Sequence, residues 1–226
     1  MPTPMVFLMR VIFAGAMMLM PVAALAGAVS EAPPSSPDPA AKYLFYMHGL
    51  YVEKHGPNSD YHYADVLQAL ADKGLEVIGE ARGPSNPGAY ARKVAGEVQA
   101  LLDAGVPARN ITVAGHSKGG FISLLAASFV QNTEIKYGIM AACGLEGTPF
   151  RRNYRKFTNN RASEMKGRFL VVWEQGDDVA GPCDEALDAS GAEYRNEILN
   201  VGGGHRLFYQ PEATWIDLLS GYALSE

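Results

Sequence analysis

The chain has 226 residues, of which 48% are hydrophobic, and its formal net charge at pH 7 is −5. This length and composition allow one domain with a sizeable buried core. The acidic balance excludes a nucleic-acid-binding protein that relies on overall positive charge.

The first segment has the pattern of a secretory signal peptide. Arg10 precedes the apolar run VIFAGAMMLM, Pro21 follows it, and Ala24-Leu25-Ala26 is a small-residue cleavage pattern. We therefore predict a signal peptide over 1–26, cleavage after Ala26, and an exported protein, periplasmic or secreted, with no stable membrane span after processing. The alternative is an uncleaved membrane anchor, because apolar residues continue to Val29.

Residues 27–41 are rich in proline and serine, which predicts a mobile tether. The folded domain is predicted over 42–226, where strand and helix patterns alternate. The predicted strands are 42–50, 75–80, the run that ends at Gly115, 136–143, 168–174 and 193–201. The predicted helices are one capped at Asn58 or Ser59 with Asp60 in its first turn, one ending at Gly105, one after Gly119, a short one over 183–190, and one opened by Pro211. Residues 51–60 are predicted as a polar loop, and 144–167 show little periodicity.

Strands that alternate with helices imply βαβ units, so the predicted fold class is α/β, with a mostly parallel sheet flanked by helices. Chemistry in such sheets gathers at the carboxyl ends of the strands. His48, Ser117, Asp177 and His205 each follow directly on a predicted strand. We therefore expect these four side chains to lie at one edge of the sheet.

The stretch NITVAGHSKGG, residues 110–120, has the pattern of a nucleophile elbow. An apolar strand leads into a G-x-S-x-G motif centred on Ser117, and a helical run follows. A serine on a tight strand-to-helix turn crowds the positions two before and two after it, which explains Gly115 and Gly119. The sequence predicts Ser117 as a nucleophile; a small-residue turn without catalysis is the alternative.

A serine nucleophile needs a base, and the base needs a third group to orient it. Of the five histidines, His205 alone lies downstream of both Asp177 and Asp178, and three glycines precede it. We predict His205 as the base and one of these two aspartates as the orienting acid. A surface histidine in a flexible turn is the alternative. His116, directly beside the nucleophile, is not expected to reach round to serve as its base.

Two backbone N–H groups are predicted to form an oxyanion hole. One belongs to Lys118, after the nucleophile, and the other to Leu50, after His48-Gly49 at the end of the first predicted strand. A His-Gly pair that only makes a turn is the alternative.

These features resemble the α/β-hydrolase superfamily over nearly all of 43–222. The nucleophile–acid–base order of Ser117, Asp177 and His205 carries the resemblance, together with the His48-Gly49 pair. It implies hydrolysis of an ester, amide or related bond through an acyl-enzyme, with no metal and no organic cofactor. The chain departs from larger members because it lacks their first two antiparallel strands and has a short insertion in place of a large cap.

The resemblance also implies a choice between the two aspartates. Members of the superfamily place a larger aliphatic residue two positions after the acid, and Val179 stands there for Asp177, whereas Asp178 has Ala180. We therefore predict Asp177 as the orienting acid, with Asp178 as the second choice.

The cysteines Cys143 and Cys183 are predicted to form a disulfide, since each follows a strand end on the catalytic edge and export would allow the bond to persist. Two free thiols are the alternative. A different cluster, His48, His55, Asp60 and His62, lacks the spacing of metal ligands and is expected to rim the pocket.

The insertion carries an unusual charge. Residues 151–168 hold seven Lys or Arg and one acid, Glu164. This segment could receive an anionic substrate or an anionic membrane surface, or it could be a solvated lid.

The function expected is an esterase-like serine hydrolase, a monomer acting on a small acyl substrate. A non-catalytic binding protein and a peptidase on the same fold are the alternatives.

Overall fold

The structure is a computed structural model that describes Met1 and residues 26–226. The predicted signal peptide, 1–26, lies outside these residues apart from its two ends. The strands are β1 (Val29–Ser30), β2 (Tyr43–Met47), β3 (Glu76–Ile78), β4 (Ile111–His116), β5 (Lys136–Met140), β6 (Cys143–Gly144), β7 (Arg168–Glu174), β8 (Ala180–Gly181) and β9 (Glu193–Leu199). The helices are α1 (Leu50–His55), α2 (Tyr63–Ala71), α3 (Pro87–Asp103), α4 (Lys118–Val130), α5 (Arg151–Asn160), α6 (Asp184–Ser190) and α7 (Ala213–Leu224).

Seven strands form one parallel sheet in the order β1-β3-β2-β4-β5-β7-β9. Two short strands, β6 and β8, pair antiparallel beside it. Strands β2, β4 and β5 are buried along their whole length, which is typical of a parallel sheet covered on both faces. The predicted α/β fold class is confirmed.

Side chains from the two faces of the sheet enter two separate core clusters. In β2, Phe45 belongs to the cluster under α3 and α4, whereas Tyr46 belongs to the cluster under α2 and α7. This alternation follows the period of two in a strand. The helices of both layers therefore fix the sheet, and the loops at its carboxyl edge rest on a rigid support.

The segment predicted as a mobile tether contributes to the sheet. Val29 and Ser30 pair in parallel with Val77 and Ile78 of β3, so the pair forms the outermost strand. The backbone N–H of Gly27 also donates to the Ala71 carbonyl oxygen at 2.8 Å. The free backbone groups at the edge of β3 explain why even this proline-rich segment pairs there.

The boundaries of the first two helices differ from the prediction. Residues 51–60, predicted as a loop, include most of α1, in which only Val52 is buried, so the sequence shows no helical period there. Helix α2 is capped at His62 rather than at Asn58 or Ser59, and Asp60 lies before it. The hydroxyl of Ser59 instead donates to the Gly56 carbonyl oxygen at 2.8 Å.

The insertion also contains a helix that the sequence did not reveal. Of the ten residues in α5, only Tyr154 and Phe157 are buried, and the rest are mostly charged or amide side chains. Smaller differences concern ends: the predicted strands over 42–50, 136–143 and 193–201 end at Met47, Met140 and Leu199. Among the described residues, no helix is both long and apolar enough to cross a membrane.

Candidate active site

The predicted site residues meet at the carboxyl edge of the sheet. Leu50 follows β2, Ser117 follows β4, Asp177 follows β7 and His205 follows β9. In the strand order, β9 lies three positions away from β4, so the His205 loop must return across the edge to approach Ser117.

The turn that carries Ser117 is a strained strand-to-helix turn. Ser117 has φ 55° and ψ −116°, a conformation that a residue with a side chain rarely adopts. Its N–H donates to the Met140 carbonyl oxygen of the neighbouring strand at 2.8 Å, which holds the turn. A Cβ at Gly115 would lie 2.5 Å from the Gly119 carbonyl carbon, and one at Gly119 would collide with the Met47 carbonyl. Both glycines of the motif are therefore required by the packing.

Ser117, His205 and Asp177 form a continuous line of polar contacts. The Ser117 Oγ lies 2.9 Å from the His205 Nε2, and the His205 Nδ1 lies 2.8 Å from the Asp177 Oδ2. A carboxylate can only accept a hydrogen bond, so Nδ1 of a neutral ring carries the proton and donates a hydrogen bond to Asp177. Nε2 is then free to accept the proton of the serine.

The carboxylate beside His205 is that of Asp177. Its side chain is fully buried, and its second oxygen, Oδ1, accepts the N–H groups of Val179 and Ala180 at 2.8 and 3.0 Å. These two bonds fix the orientation of the carboxylate. Asp178, the second choice, is exposed.

Three glycines make the turn that brings His205 to the serine. Gly202, Gly203 and Gly204 all have positive φ, at 79°, 93° and 53°. Left-handed backbone is accessible to glycine without a steric penalty. The 3₁₀ turn over Gly204–Tyr209 follows and presents the imidazole towards β4.

His116 forms a wall behind His205. The ring centroids of His116 and His205 are 4.6 Å apart, and the Phe208 ring stacks on His116 with centroids 5.2 Å apart. Complete burial, with a further contribution from His205, holds the pKa of His116 well below its ordinary value. His116 is therefore a neutral packing group rather than a base.

The two predicted oxyanion-hole donors sit at helix N-termini. Leu50 is the first residue of α1 and Lys118 is the first residue of α4, so neither N–H has an acceptor inside its own helix. Neither donates to another backbone carbonyl in the described part of the chain. Both residues line the same cavity as Ser117 and His205.

A buried ion cluster, Glu53, Arg82 and Lys118, lies behind these donors. The Glu53 carboxylate accepts from Arg82 Nε at 2.9 Å and from Lys118 Nζ at 2.6 Å. The side chains are 2%, 3% and 13% exposed in that order. The cluster joins α1, the loop after β3 and α4, so it connects the two chain segments that carry the predicted oxyanion-hole N–H groups.

His48 continues this cluster towards Leu50. The Arg82 guanidinium donates to the His48 carbonyl oxygen, and the Arg82 backbone N–H donates to His48 Nε2 at 3.0 Å. Nδ1 therefore carries the ring proton, and it lies 2.9 Å from the Gly49 carbonyl oxygen. Burial, and next the Arg82 charge, lower the pKa of His48 to about 3, so the ring is neutral.

Neither Glu53 nor Arg82 is among the site residues predicted from the sequence. Glu53 stands in the predicted polar loop over 51–60, and Arg82 follows the predicted strand over 75–80. The two are 29 residues apart, and Glu53 is 65 residues from Lys118. Since no local motif links them, only the tertiary fold brings these charges together.

The cavity beside Ser117 has a volume of about 270 Å³ and a mainly apolar lining. The segment 144–167 contributes Phe150, Asn153 and Tyr154 to its wall, and the first turn of α4 contributes Phe121. The cavity can therefore receive a small apolar group next to the serine.

The cluster of His48, His55, Asp60 and His62 does not rim this cavity, contrary to the expectation. His48 is fully buried, and the other three are not among the lining residues. Within 26–226, no group of three or more His, Cys, Asp or Glu side chains is arranged to hold a metal ion.

Cys143 and Cys183 are bonded to each other, with their Cα atoms 5.3 Å apart. Cys143 begins β6 and Cys183 caps α6, while Ala180 and Gly181 of β8 pair with β6 between them. The disulfide therefore braces the segment that follows Asp177.

No protein-family model matches the chain, and no curated protein matches it in sequence. Solved structures do match in fold. An esterase of Rhizomucor miehei is 13% identical with a TM-score of 0.57, over 85% of this chain and 77% of that chain. SOBER1 of Arabidopsis thaliana is 11% identical with a TM-score of 0.56, over 81% and 98%.

Dipeptidyl peptidase 4 of Porphyromonas gingivalis is 20% identical with a TM-score of 0.54. It covers 84% of this chain but only 32% of that chain. At such identities the similarity concerns the fold alone, and it shows that the chain has the α/β-hydrolase fold.

Proposed function

We propose that the protein is an exported serine hydrolase that cleaves a carboxylic ester, or a related acyl bond, of a small molecule through an acyl-enzyme. The observation that carries this proposal is the contact of Ser117 Oγ with His205 Nε2 at 2.9 Å, with Asp177 on the other ring nitrogen. The arrangement sits on a strained elbow, and strain of this kind is typical of functional sites.

In the proposed first step, the Ser117 oxygen attacks the carbonyl carbon of the substrate while His205 Nε2 takes the serine proton. The Leu50 and Lys118 N–H groups donate to the oxygen that becomes negative. His205 then gives its proton to the leaving oxygen, and the acyl group remains on Ser117. In the second step a water molecule, deprotonated by His205, releases the acid and restores the serine.

Asp177 orients the ring and stabilises the imidazolium that forms in each step. Its fixed position, held by two backbone N–H groups, favours it over Asp178 for this role. Every step uses only groups of the chain, the substrate and water.

The disulfide is compatible with export, because such bonds persist in oxidising compartments. We propose cleavage after Ala26, which N-terminal sequencing of the exported protein tests; a chain that still begins at Met1 would contradict it. We also propose that the mature protein is a monomer and that the basic segment, 151–168, favours an anionic substrate.

Labelling with a fluorophosphonate probe tests the central proposal. The mature protein should become labelled at Ser117 and hydrolyse chromogenic esters, whereas the Ser117→Ala variant should do neither. A folded protein without labelling would instead support a binding protein. Matched anilides test the peptidase alternative, and preferential cleavage of the anilides would replace the esterase proposal by it.

A further inference from the structure

A second cavity, with a volume of about 410 Å³, adjoins the cavity beside Ser117. The two share Pro87, Phe121 and Asn153 in their walls. The two cavities therefore adjoin at Phe121, and the second is a groove between α3, α4 and α5.

The floor of this second cavity is apolar. Phe121, Leu125 and Phe157 line it, and the rings of Phe121 and Phe157 pack edge to face with centroids 5.7 Å apart. Such a floor provides contact area for a hydrocarbon chain, and moving the surface of that chain out of water lowers the free energy.

The polar part of the lining consists of amides and positive charges. Its members are Asn86, Lys156, Asn160 and Arg161, and no acidic side chain is among the described residues that line either cavity. Arg161 is already paired, since its Nη2 lies 2.6 Å from Glu164. Lys156 is exposed and makes no ion pair within 26–226, so its charge is available to a ligand.

Only part of the basic segment faces this groove. Asn153, Lys156, Phe157 and Asn160 follow helical spacing along one side of α5. Arg152 and Arg155 are exposed and line neither cavity, and Arg151 is bound to Glu146 and Glu185 at 2.8 and 2.6 Å.

The groove extends on the acyl side of the site. His205 lines the first cavity but not the second. Since the histidine must deliver its proton to the leaving oxygen, the leaving group has to lie next to His205. The acyl group is then the part of the substrate that can extend over Phe121.

We propose, resting on the proposed function, that the preferred substrate is an ester whose long acyl chain carries an anionic group, such as a carboxylate, at its far end. The apolar part of the chain lies over Phe121 and Phe157, and the terminal anion is bound by Lys156.

The test compares two esters of equal chain length, the umbelliferyl half-ester of sebacic acid and umbelliferyl decanoate. The sebacate should have the higher kcat/KM. Lys156→Gln should lower the ratio of the two kcat/KM values by about three- to fivefold, the size of one exposed ion pair. Arg155→Gln removes a charge from the other side of the same helix and should leave the ratio unchanged.

An equal ratio in the wild type and the Lys156→Gln variant would overturn the inference. So would turnover of umbelliferyl acetate without turnover of either long ester, because the second cavity would then not receive acyl chains. Both of these results leave the proposed function intact. Absence of fluorophosphonate labelling and of all ester hydrolysis would overturn the proposed function, and this inference with it.

Discussion

Two charged regions flank Ser117, and they differ in what surrounds their charges. The buried ion cluster of Glu53, Arg82 and Lys118 lies beside the predicted oxyanion-hole donors, where one carboxylate binds two cations. Helix α5 lies beside the second cavity, on the proposed acyl side, and its cations at 152, 155 and 156 are exposed. Charges in the first region are desolvated and depend on one another, whereas those in the second are hydrated and independent.

This difference determines what each region can do. A buried charge is costly without its partner, so the cluster holds its neighbours in one arrangement. An exposed cation attracts an anion through solvent and fixes no backbone. We therefore expect substitutions in the cluster to act on stability and kcat, and substitutions on α5 to act on KM for charged substrates.

The largest expected effect concerns the proposed triad of Ser117, His205 and Asp177. Asp177→Asn should lower kcat by roughly three to four orders of magnitude, because the tautomer and direction of His205 would no longer be fixed. Asp178→Asn is the matched control and should retain most of the activity, since Asp178 is exposed. Ester kinetics on the two purified variants decide it; the reverse result would move the acid by one residue.

The second prediction breaks the buried cluster. Glu53→Gln leaves Arg82 and Lys118 without their carboxylate, which should lower the free energy of unfolding by about 3 kcal/mol. The Leu50 N–H should lose its fixed direction, so kcat should fall by about ten- to a hundredfold, less than the loss of a complete oxyanion-hole donor. KM for a neutral ester should change little.

Glu185→Gln is the control for this change, because Glu185 is 54% exposed and bonded to Arg151. It should shift the unfolding free energy by less than about 1 kcal/mol. Urea unfolding and ester kinetics on both variants make the comparison. A stable Glu53→Gln variant with unchanged kcat would show that the cluster does not fix the Leu50 N–H in a way that turnover requires.

The contrast between the regions also explains how far the sequence could predict the molecule. The elbow, the parallel sheet and the positions of Asp177 and His205 depend on local patterns: glycines at fixed offsets, buried strands and a glycine-rich turn. The cluster depends on charges far apart in the chain, and nothing near Glu53 indicates that Arg82 will lie beside it. Helix α5 was not predicted for a local reason: only two of its residues are buried, so its sequence shows no apolar face.

The third prediction uses pH on the buried side. The pKa of His48 is about 3 in the folded chain, against an ordinary value of 6.5, so the unfolded chain binds a proton first as the pH falls. Stability should therefore decrease from pH 6.5 towards pH 3, with His48 contributing about 2 kcal/mol of loss by pH 5. Burial of His116 acts in the same direction.

Replacement of His48 by Gln removes the titrating group and should reduce this pH dependence, whatever its effect on stability at pH 7. His62→Gln is the control, since the His62 side chain is 48% exposed. Urea unfolding at pH 7 and pH 5 gives the difference for each protein. An unchanged difference in the His48→Gln variant would mean that His48 does not couple protonation to the fold.

The smallest expected effect concerns salt on the exposed side. The attraction between Lys156 and a terminal anion passes through solvent, so raising the ionic strength from about 0.01 M to about 0.5 M should screen most of it. KM for the umbelliferyl half-ester of sebacic acid should then rise by about two- to threefold. KM for the decanoate should follow only the general effect of salt on apolar binding, and the Lys156→Gln variant should lose the difference between the two esters.

The buried cluster is shielded from ions, so kcat should not change in parallel. If salt lowered kcat and left the KM ratio of the two esters constant, the exposed cations of α5 would have no part in substrate binding, and the difference between the two regions would be one of stability alone.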